Sequence, residues 1–217
     1  RLPWSIRRSD DHPTVRSEAS PHAQRAGRMS RPVAVPLTIL MPVFNERTTI
    51  AAAIDDALGA DLPVDARQLV IVDDGSTDGT REWLADTTLP ENVEVVFQQR
   101  PKGGSGNHFG SRLVWGRDGN LFITLGDRGR MSEAQNPSNH IGKVLRVTDA
   151  GKVPADNPFV KAAETQPEIF SLGHRNVQGA ALHPVTGELW AHEHGPQGGD
   201  EVNLERAGAN YGWPVIT

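Results

Sequence analysis

Continuous apolar runs of strand length alternate with segments of helical period in the first half of the chain. Residues 36–43 (PLTILMPV) and 69–72 (LVIV) are short and largely apolar, which is typical of strands buried on both faces. Apolar side chains recur at helical spacing over 48–58, and a second helix is predicted over 79–86. With a third strand at 93–97, this order predicts an α/β part that begins as a Rossmann-like half sheet of parallel strands.

Beyond the glycine-rich stretch KGGSG the pattern changes to short strands joined by tight turns. Strands at 112–115 and 121–125 flank the turn RDGN, and strands at 180–183 and 188–192 flank the turn PVTG in a similar design. Another strand is predicted over 143–147. Repeated hairpins of this kind predict an all-β part, an incomplete β-propeller of about two blades.

These patterns divide the chain into a tail (1–30), an α/β part (31–104) and a propeller-like part (105–217). The tail is polar and Arg-rich and has neither helical nor strand period, so we expect it to be a disordered or loosely docked arm. It lacks the apolar core of a signal peptide, and no apolar run reaches the roughly 18 residues that span a bilayer. The sequence therefore predicts neither a signal peptide nor a transmembrane segment, and it leaves the compartment unknown.

Composition excludes several classes of function. The net charge of −5 makes a nucleic-acid partner unexpected, and the absence of cysteine excludes disulfides and thiolate metal sites. We expect a small-molecule substrate and no membrane partner.

Two motifs in the α/β part carry a first resemblance. LTILMPVFNE followed by LVIVDDGSTDGT resembles the family-two glycosyltransferases, which use nucleotide-diphosphate sugars. The resemblance implies that Glu46 and either Asp73 or Asp74 would face the nucleotide. The Asp-x-Asp motif that holds the family's metal is absent from this sequence, and a metal must neutralise the diphosphate leaving group. We therefore expect this part to fold and pack without transferring a sugar.

A series of motifs in the propeller-like part carries a second resemblance. The segments SGNHFGSRLVWGRDGNLFITLGDRGR, GKVLRVTDAGKVPADNPF, IFSLGHRNVQGAALHPVTGELWAHEHGPQGGDEVN and NYGWP resemble the soluble aldose (glucose/sorbosone) dehydrogenases, which use pyrroloquinoline quinone (PQQ) and calcium. The resemblance implies that His108 is the general base that takes the proton of the sugar's anomeric hydroxyl. It also implies that Arg175 and Asn176 contact the quinone. The main-chain carbonyls of Gly195 and Pro196 would bind the calcium.

The histidines near predicted strand ends suggest a second kind of chemistry. His192 and His194 are two residues apart, so on a strand that runs over 189–194 they would face the same side and could bind one metal. Histidines and a carboxylate commonly hold zinc, which activates a bound water. The candidate metal set is His108, His174, His192, His194 and Asp200.

Three functions follow from these observations. Because each resemblance covers only part of its family's length, we expect both parental activities to be lost. The leading hypothesis is a metal-dependent hydrolase of activated esters or phosphoesters, with zinc as the favoured metal, His108 in the site and Arg175 stabilising the oxyanion. The alternative is an aldose sugar dehydrogenase that depends on PQQ and calcium. A second alternative is a non-catalytic recombinant assembly.

An incomplete propeller also predicts self-association. Two blades leave sheet edges open, and three copies of a two-blade unit would close a six-bladed ring with threefold symmetry. We therefore expect a homo-oligomer in which His108 and His194 converge near the axis.

Overall fold

A computed structural model describes residues 36–64, 66–103 and 106–216, except for the side chain of Ser111. The predicted tail (1–30) lies outside the described residues. All described residues belong to one compact unit. Its strands are β1 (Pro36–Val43), β2 (Ala66–Asp73), β3 (Val93–Gln98), β4 (Gly110–Trp115), β5 (Leu121–Leu125), β6 (Lys143–Val147), β7 (Ile169–Leu172), β8 (Val177–Leu182), β9 (Leu189–Glu193) and β10 (Glu201–Leu204). Its helices are α1 (Ile50–Gly59), α2 (Thr80–Asp86) and a short 3₁₀ helix (Met131–Gln135).

The first three strands form a parallel sheet in the order β1-β2-β3. Strand β2 is buried on both faces, as its continuous apolar run predicts. Leu69 and Ile71 pack with Ile50 and Ile54 of α1 on one face. Both helices contribute to this one cluster.

The opposite face of the parallel sheet packs against an antiparallel sheet. Val70 and Val72 share an apolar cluster with Leu121 and Ile123 of β5 and with Leu145 of β6. The described residues therefore form helix, parallel and antiparallel layers around a shared core. A Rossmann fold has helices on both faces of its sheet, so the Rossmann-like assignment is not confirmed.

Two antiparallel sheets make up the second half of the chain, and most regular structure is β. The first has the order β4-β5-β6-β7 and the second β10-β9-β8. Phe122, Val144 and Leu189 form a small cluster that packs these two sheets together. Neither sheet closes on itself within the described ranges. Neither of the two α-helices in the described part of the chain has the length and apolar composition needed to cross a bilayer.

Candidate functional site

A histidine that precedes β4 and an aspartate that follows β5 form the first part of the site. Gly110 of β4 pairs with Leu125 of β5 in an antiparallel ladder, so His108 and Asp127, each two residues further out, meet at the same edge. His108 Nδ1 lies 2.6 Å from Asp127 Oδ1. Because the ionised carboxylate only accepts, the ring donates through Nδ1–H, which leaves Nε2 as its acceptor nitrogen.

The carboxylate of Asp127 is fully buried and held from several sides. Its Oδ1 also accepts a hydrogen bond of 2.8 Å from the backbone N–H of Gly129. Its Oδ2 accepts one of 2.7 Å from the indole Nε1 of Trp213. The backbone N–H of Asp127 donates to the carbonyl of Arg175 at 2.8 Å, which ties the edge of the first sheet to the second.

A close backbone approach fixes the segment that carries the histidine. His108 has a left-handed φ of 55°. A Cβ added to Gly126 would lie only 1.9 Å from the carbonyl oxygen of His108. Only glycine at position 126 permits this approach. This close backbone contact therefore fixes the position from which the His108 side chain extends.

The second sheet places an arginine and a glycine turn at the same edge. Arg175 precedes β8, and its Nη1 donates a hydrogen bond of 2.9 Å to the carbonyl of His194, which follows β9. The Arg175 guanidinium lies 5.4 Å from the ring centre of Trp213. In the turn that follows, a Cβ on Gly195 would come within 1.8 Å of the carbonyl oxygen of Gly199. Trp213 is therefore the link between the His108–Asp127 pair and this turn.

A buried carboxylate holds the backbone of the predicted cofactor-contacting residues. Glu193 Oε2 accepts hydrogen bonds from the N–H groups of Arg175 at 2.6 Å and Asn176 at 3.1 Å. Its Oε1 lies 2.9 Å from Nδ1 of His174. Side chains alternate between the two faces of β9, so Glu193 faces inward and its neighbour His192 faces outward.

His174 is the centre of a fully buried charged cluster. Its Nε2 lies 3.5 Å from Glu205 Oε2 and 3.0 Å from Ser171 Oγ, and Tyr211 stacks on the ring at 4.7 Å. Burial alone would lower the pKa of His174, but the charge of Glu205 and the hydrogen bond to Glu193 raise it to about 9. Burial alone would raise the pKa of Glu193, but the hydrogen bond and charge of His174 lower it. His174 is therefore a structural cation at neutral pH.

Two adjoining hollows lie around the glycine turn and share Pro196, Gly199 and Trp213. The wider hollow has a volume of about 540 Å³ and is also lined by Met131. The narrower one reaches Arg175 and Glu193. The volume of the wider hollow is in the range that accommodates small organic ligands and cofactors.

The structure separates the residues of the predicted metal set. His192 lies over Gly179 on the outer face of β9, whereas His194 lines the narrow hollow. His194 Nδ1 lies 3.5 Å from Asp200 Oδ2, and both side chains are exposed. The described residues contain no group of three or more His, Cys, Asp or Glu side chains that could hold a metal ion.

Sequence reasoning missed Asp127, Glu193 and Trp213 as members of the site. Asp127 stands in GDRGR directly after a predicted strand, which was the available signal. Trp213 belongs to the motif NYGWP, but nothing in its sequence context indicates a bond to Asp127. Glu193 faces away from its neighbour His192, as strand alternation requires, and binds His174.

Comparison with known proteins shows which family the sequence of this chain matches. The sequence model of the family "Glucose / Sorbosone dehydrogenase" matches residues 73–217. The aldose sugar dehydrogenase YliI of Escherichia coli (strain K12) is 47% identical over 143 residues, which cover 66% of this chain and 38% of the relative. Quinoprotein glucose dehydrogenase B of Acinetobacter calcoaceticus is 39% identical over 131 residues, which cover 52% and 27%.

Solved structures support a propeller-type fold for the β part. The crystal structure of the soluble aldose sugar dehydrogenase of Escherichia coli in its apo-form matches with a TM-score of 0.56 and 47% identity. The match covers 58% of this chain and 38% of that chain. This chain thus spans under two-fifths of the length of these relatives.

The transferase resemblance receives weaker support. The undecaprenyl-phosphate 4-deoxy-4-formamido-L-arabinose transferase of Yersinia pestis (strain Pestoides F) is 29% identical over 119 residues, which cover 53% of this chain and 34% of the relative. This distant likeness agrees with a transferase-like first part and does not establish it.

The hypothesis of a metal-dependent hydrolase is wrong, and zinc is not supported. The relatives are aldose sugar dehydrogenases, which are oxidoreductases. The geometry gives the physical reason, because His108 is bound to Asp127, His174 lies in a buried ion cluster, and His192 faces away from both. With a family match over more than half of its length, the chain belongs to the glucose/sorbosone dehydrogenase family.

Proposed function

We propose that this chain contributes to the oxidation of an aldose sugar by PQQ and calcium, with His108 as the general base. The observation that carries the proposal is the 2.6 Å contact between His108 Nδ1 and Asp127 Oδ1 at the edge that also holds the glycine turn. A quinoprotein glucose dehydrogenase and an aldose sugar dehydrogenase among the relatives support it. Since the chain spans 38% of its Escherichia coli relative, the complete activity is part of the proposal.

The residues present fit such a cofactor at three points. Gly195 and Pro196 offer main-chain oxygens, which are ligands that calcium prefers. The Nε of Arg175 is buried and has no hydrogen-bond partner among the described residues, so it is a donor suited to an acidic ligand. The adjoining hollow of about 540 Å³ provides the space. When bound, the quinone with its calcium supplies the acceptor for the hydride of the sugar.

The chain's own chemistry is the transfer of a proton. Asp127 holds Nδ1–H of His108, which leaves the Nε2 lone pair to accept the proton of the anomeric hydroxyl. The buried carboxylate stabilises the imidazolium that forms. Trp213 and Gly129 occupy the carboxylate's remaining acceptor sites, which fixes the ring's orientation. The hydroxyl oxygen of the sugar thus loses its proton to His108 and the carbon that bears it loses a hydride to the acceptor, so the C–OH group becomes a carbonyl.

We propose a structural role for the parallel-sheet part. The turn after β2, where the transferase resemblance would place a nucleotide, is filled by Arg128 of the second part. Arg128 Nη2 lies 2.5 Å from Asp74 Oδ2. This occupancy supports a role in folding and packing over sugar transfer.

The test is a dye-linked assay of aldose oxidation by the purified protein with added PQQ and calcium. We expect turnover in the wild type and a loss of roughly a hundredfold or more in His108→Gln, because a positioned general base contributes about 10²–10⁴-fold. His183→Gln is the matched control, since His183 lies in an exposed hairpin turn. We expect it to retain wild-type turnover.

Quinone binding, measured separately by calorimetry, distinguishes the remaining outcomes. Binding without turnover would contradict the proposed reaction and favour the non-catalytic alternative. Equal turnover in wild type and His108→Gln would refute the role of His108.

We further propose self-association, for which the outer face of the second sheet offers a surface. Trp190 of β9 and Val202 of β10 are exposed there beside Ala181. A homo-oligomer, including the threefold ring, would bury this apolar face. Sedimentation equilibrium measures the assembly directly, and a monomeric mass at micromolar concentration would contradict it.

A further inference from the structure

The first part of the chain contacts both residues that adjoin the His108–Asp127 pair. Phe109 follows His108, and Arg128 follows Asp127. The guanidinium of Arg128 lies over the rings of Phe44 and Phe109, at 4.5 Å and 4.3 Å from their centres, and the two rings contact each other with centres 4.9 Å apart. Phe44 directly follows β1 of the parallel sheet, so the stack joins the two parts.

The charge of Arg128 depends on one carboxylate of the first part. Arg128 Nη2 lies 2.5 Å from Asp74 Oδ2 and donates a 2.6 Å hydrogen bond to the Asp74 carbonyl. The two side chains are 1% and 2% exposed. The Nε and Nη1 atoms of Arg128 have no hydrogen-bond partner among the described residues. A buried guanidinium so placed needs Asp74 for neutralisation.

The same contacts constrain the histidine. Arg128 has a left-handed φ of 55°, and its backbone N–H lies 3.4 Å from the carbonyl of His108. Asp127 is the carboxylate next to Arg128 in the sequence, so it is the acceptor that we expect a guanidinium released from Asp74 to approach. Asp127 would then be shared between the guanidinium and the imidazole. The orientation of the His108 ring thus depends on where Arg128 is anchored.

We propose that Phe44 and Asp74 are positioning residues, which keep Arg128 away from Asp127 and thereby fix the His108–Asp127 pair. This inference rests on the proposed function for its kinetic consequence, but not for its structural one. It assigns to the transferase-like part a role in the chemistry of the dehydrogenase-like part. We call Phe44, Asp74, Phe109 and Arg128 the clamp.

The key variant is Asp74→Asn, and Asp73→Asn is its matched control. Asp73 is the adjacent residue, the last of β2, and is also fully buried. Its Oδ2 pairs with Arg81 of α2 at 2.5 Å, so it lies outside the clamp. Both variants remove one charge from a buried ion pair, but only Asp74→Asn releases Arg128.

The first readout is the ¹H–¹⁵N NMR signature of the His108 ring in cofactor-free protein at one fixed pH. The wild type is expected to show a protonated Nδ1 with a slowly exchanging proton, assigned by its absence in His108→Gln. We expect Asp74→Asn to lose this signal and Asp73→Asn to retain it. An unchanged signal in Asp74→Asn would overturn the inference, even if the protein proved to have no dehydrogenase activity.

The second readout is the separation of kcat from KM in the dye-linked assay. We expect Asp74→Asn to lower kcat roughly tenfold while KM for the sugar stays within about twofold, because the base is misplaced and the sugar contacts remain. Equal losses in Asp74→Asn and Asp73→Asn would indicate general destabilisation and contradict a positioning role.

A milder variant covers the case in which Asp74→Asn fails to fold. Phe44→Leu keeps the ion pair and removes one of the two rings against Arg128. We expect a partial loss of the slowly exchanging His108 proton and a fall in kcat of about threefold. A wild-type signature and wild-type kcat in Phe44→Leu would argue against the clamp.

Discussion

The indole Nε1 of Trp213 donates a 2.7 Å hydrogen bond to Oδ2 of Asp127, across a separation of 86 residues. The other carboxylate oxygen of Asp127 receives His108. The same indole contacts the guanidinium of Arg175. One tryptophan thus connects the predicted base with the residues predicted to hold the cofactor.

Trp213→Phe removes the indole donor and keeps an aromatic ring against Arg175. We expect kcat to fall about three- to tenfold, since the net value of a hydrogen bond to a charged group is about 1.5–3 kcal/mol and only part of it acts on the His108 ring. Dye-linked kinetics at saturating sugar would measure the change. Trp83→Phe serves as the control because Trp83 lies in α2 of the first part, outside the candidate site. An equal loss in both variants would show that the bond to Asp127 has no specific role.

Glu193→Gln tests whether the buried carboxylate sets the backbone of Arg175 and Asn176. The amide keeps the shape but weakens two charge-assisted bonds of 2.6 Å and 3.1 Å. We expect the dissociation constant for PQQ, measured by quenching of tryptophan fluorescence, to rise by about tenfold.

Glu188→Gln is the comparison for that measurement. Glu188 is exposed and accepts a hydrogen bond from Thr186 at the hairpin turn. The affinity of the Glu188→Gln protein for PQQ should match that of the wild type. If Glu193→Gln bound PQQ as tightly as Glu188→Gln, the backbone of Arg175 and Asn176 would not depend on the carboxylate.

Gly126→Ala tests the close backbone approach beneath His108. The added Cβ would come within 1.9 Å of the His108 carbonyl oxygen, so the segment that carries the ring must move. We expect a loss of kcat of at least about tenfold together with a lower melting temperature, because a displaced base no longer meets its substrate.

Gly106→Ala provides the contrast, since a Cβ there would meet nothing within 4 Å. Circular dichroism melts and dye-linked kinetics on both variants separate the two effects. Wild-type kcat in a folded Gly126→Ala protein would show that the ring tolerates movement of its backbone.

Strand patterns were predictable from the sequence where apolar runs were long enough. The predicted strands at 121–125 and 143–147 have the observed bounds, because all five side chains of each are buried. Ile169–Leu172 and Glu201–Leu204 were not predicted, since four residues are too few to establish a period. Only the packing of neighbouring strands makes them regular.

Some residues of the candidate site were likewise predictable from the sequence, and others were not. His108, Arg175 and the glycine turn could be inferred because local motifs resemble a family. Asp127 and Trp213 could not, because their bond joins distant parts of the chain. The interpretation of His192 and His194 as joint zinc ligands treated their strand as continuing to residue 194, whereas β9 ends at Glu193.

His174 predicts a specific pH dependence of stability. Among the residues that the structure describes, four face its ring, namely Glu193, Glu205, Ser171 and Tyr211. Burial alone would lower the pKa of His174, but the charge of Glu205 and the hydrogen bond to Glu193 raise it from 6.5 to about 9. Because the folded protein holds this proton more tightly than the unfolded chain, the stabilisation is complete below about pH 6.5 and is lost as the pH rises through about 9.

The difference in unfolding free energy between wild type and His174→Gln isolates this contribution. It should fall by about 3 kcal/mol between about pH 6 and about pH 9.5, in proportion to the raised pKa. Urea unfolding followed by tryptophan fluorescence measures it at each pH. Val185→Ala, at an exposed turn, removes no titratable group, so it should show a difference that does not change across the same range. A constant difference for His174→Gln as well would mean that the buried histidine stays neutral, and the ion cluster behind Arg175 would then lack its cation.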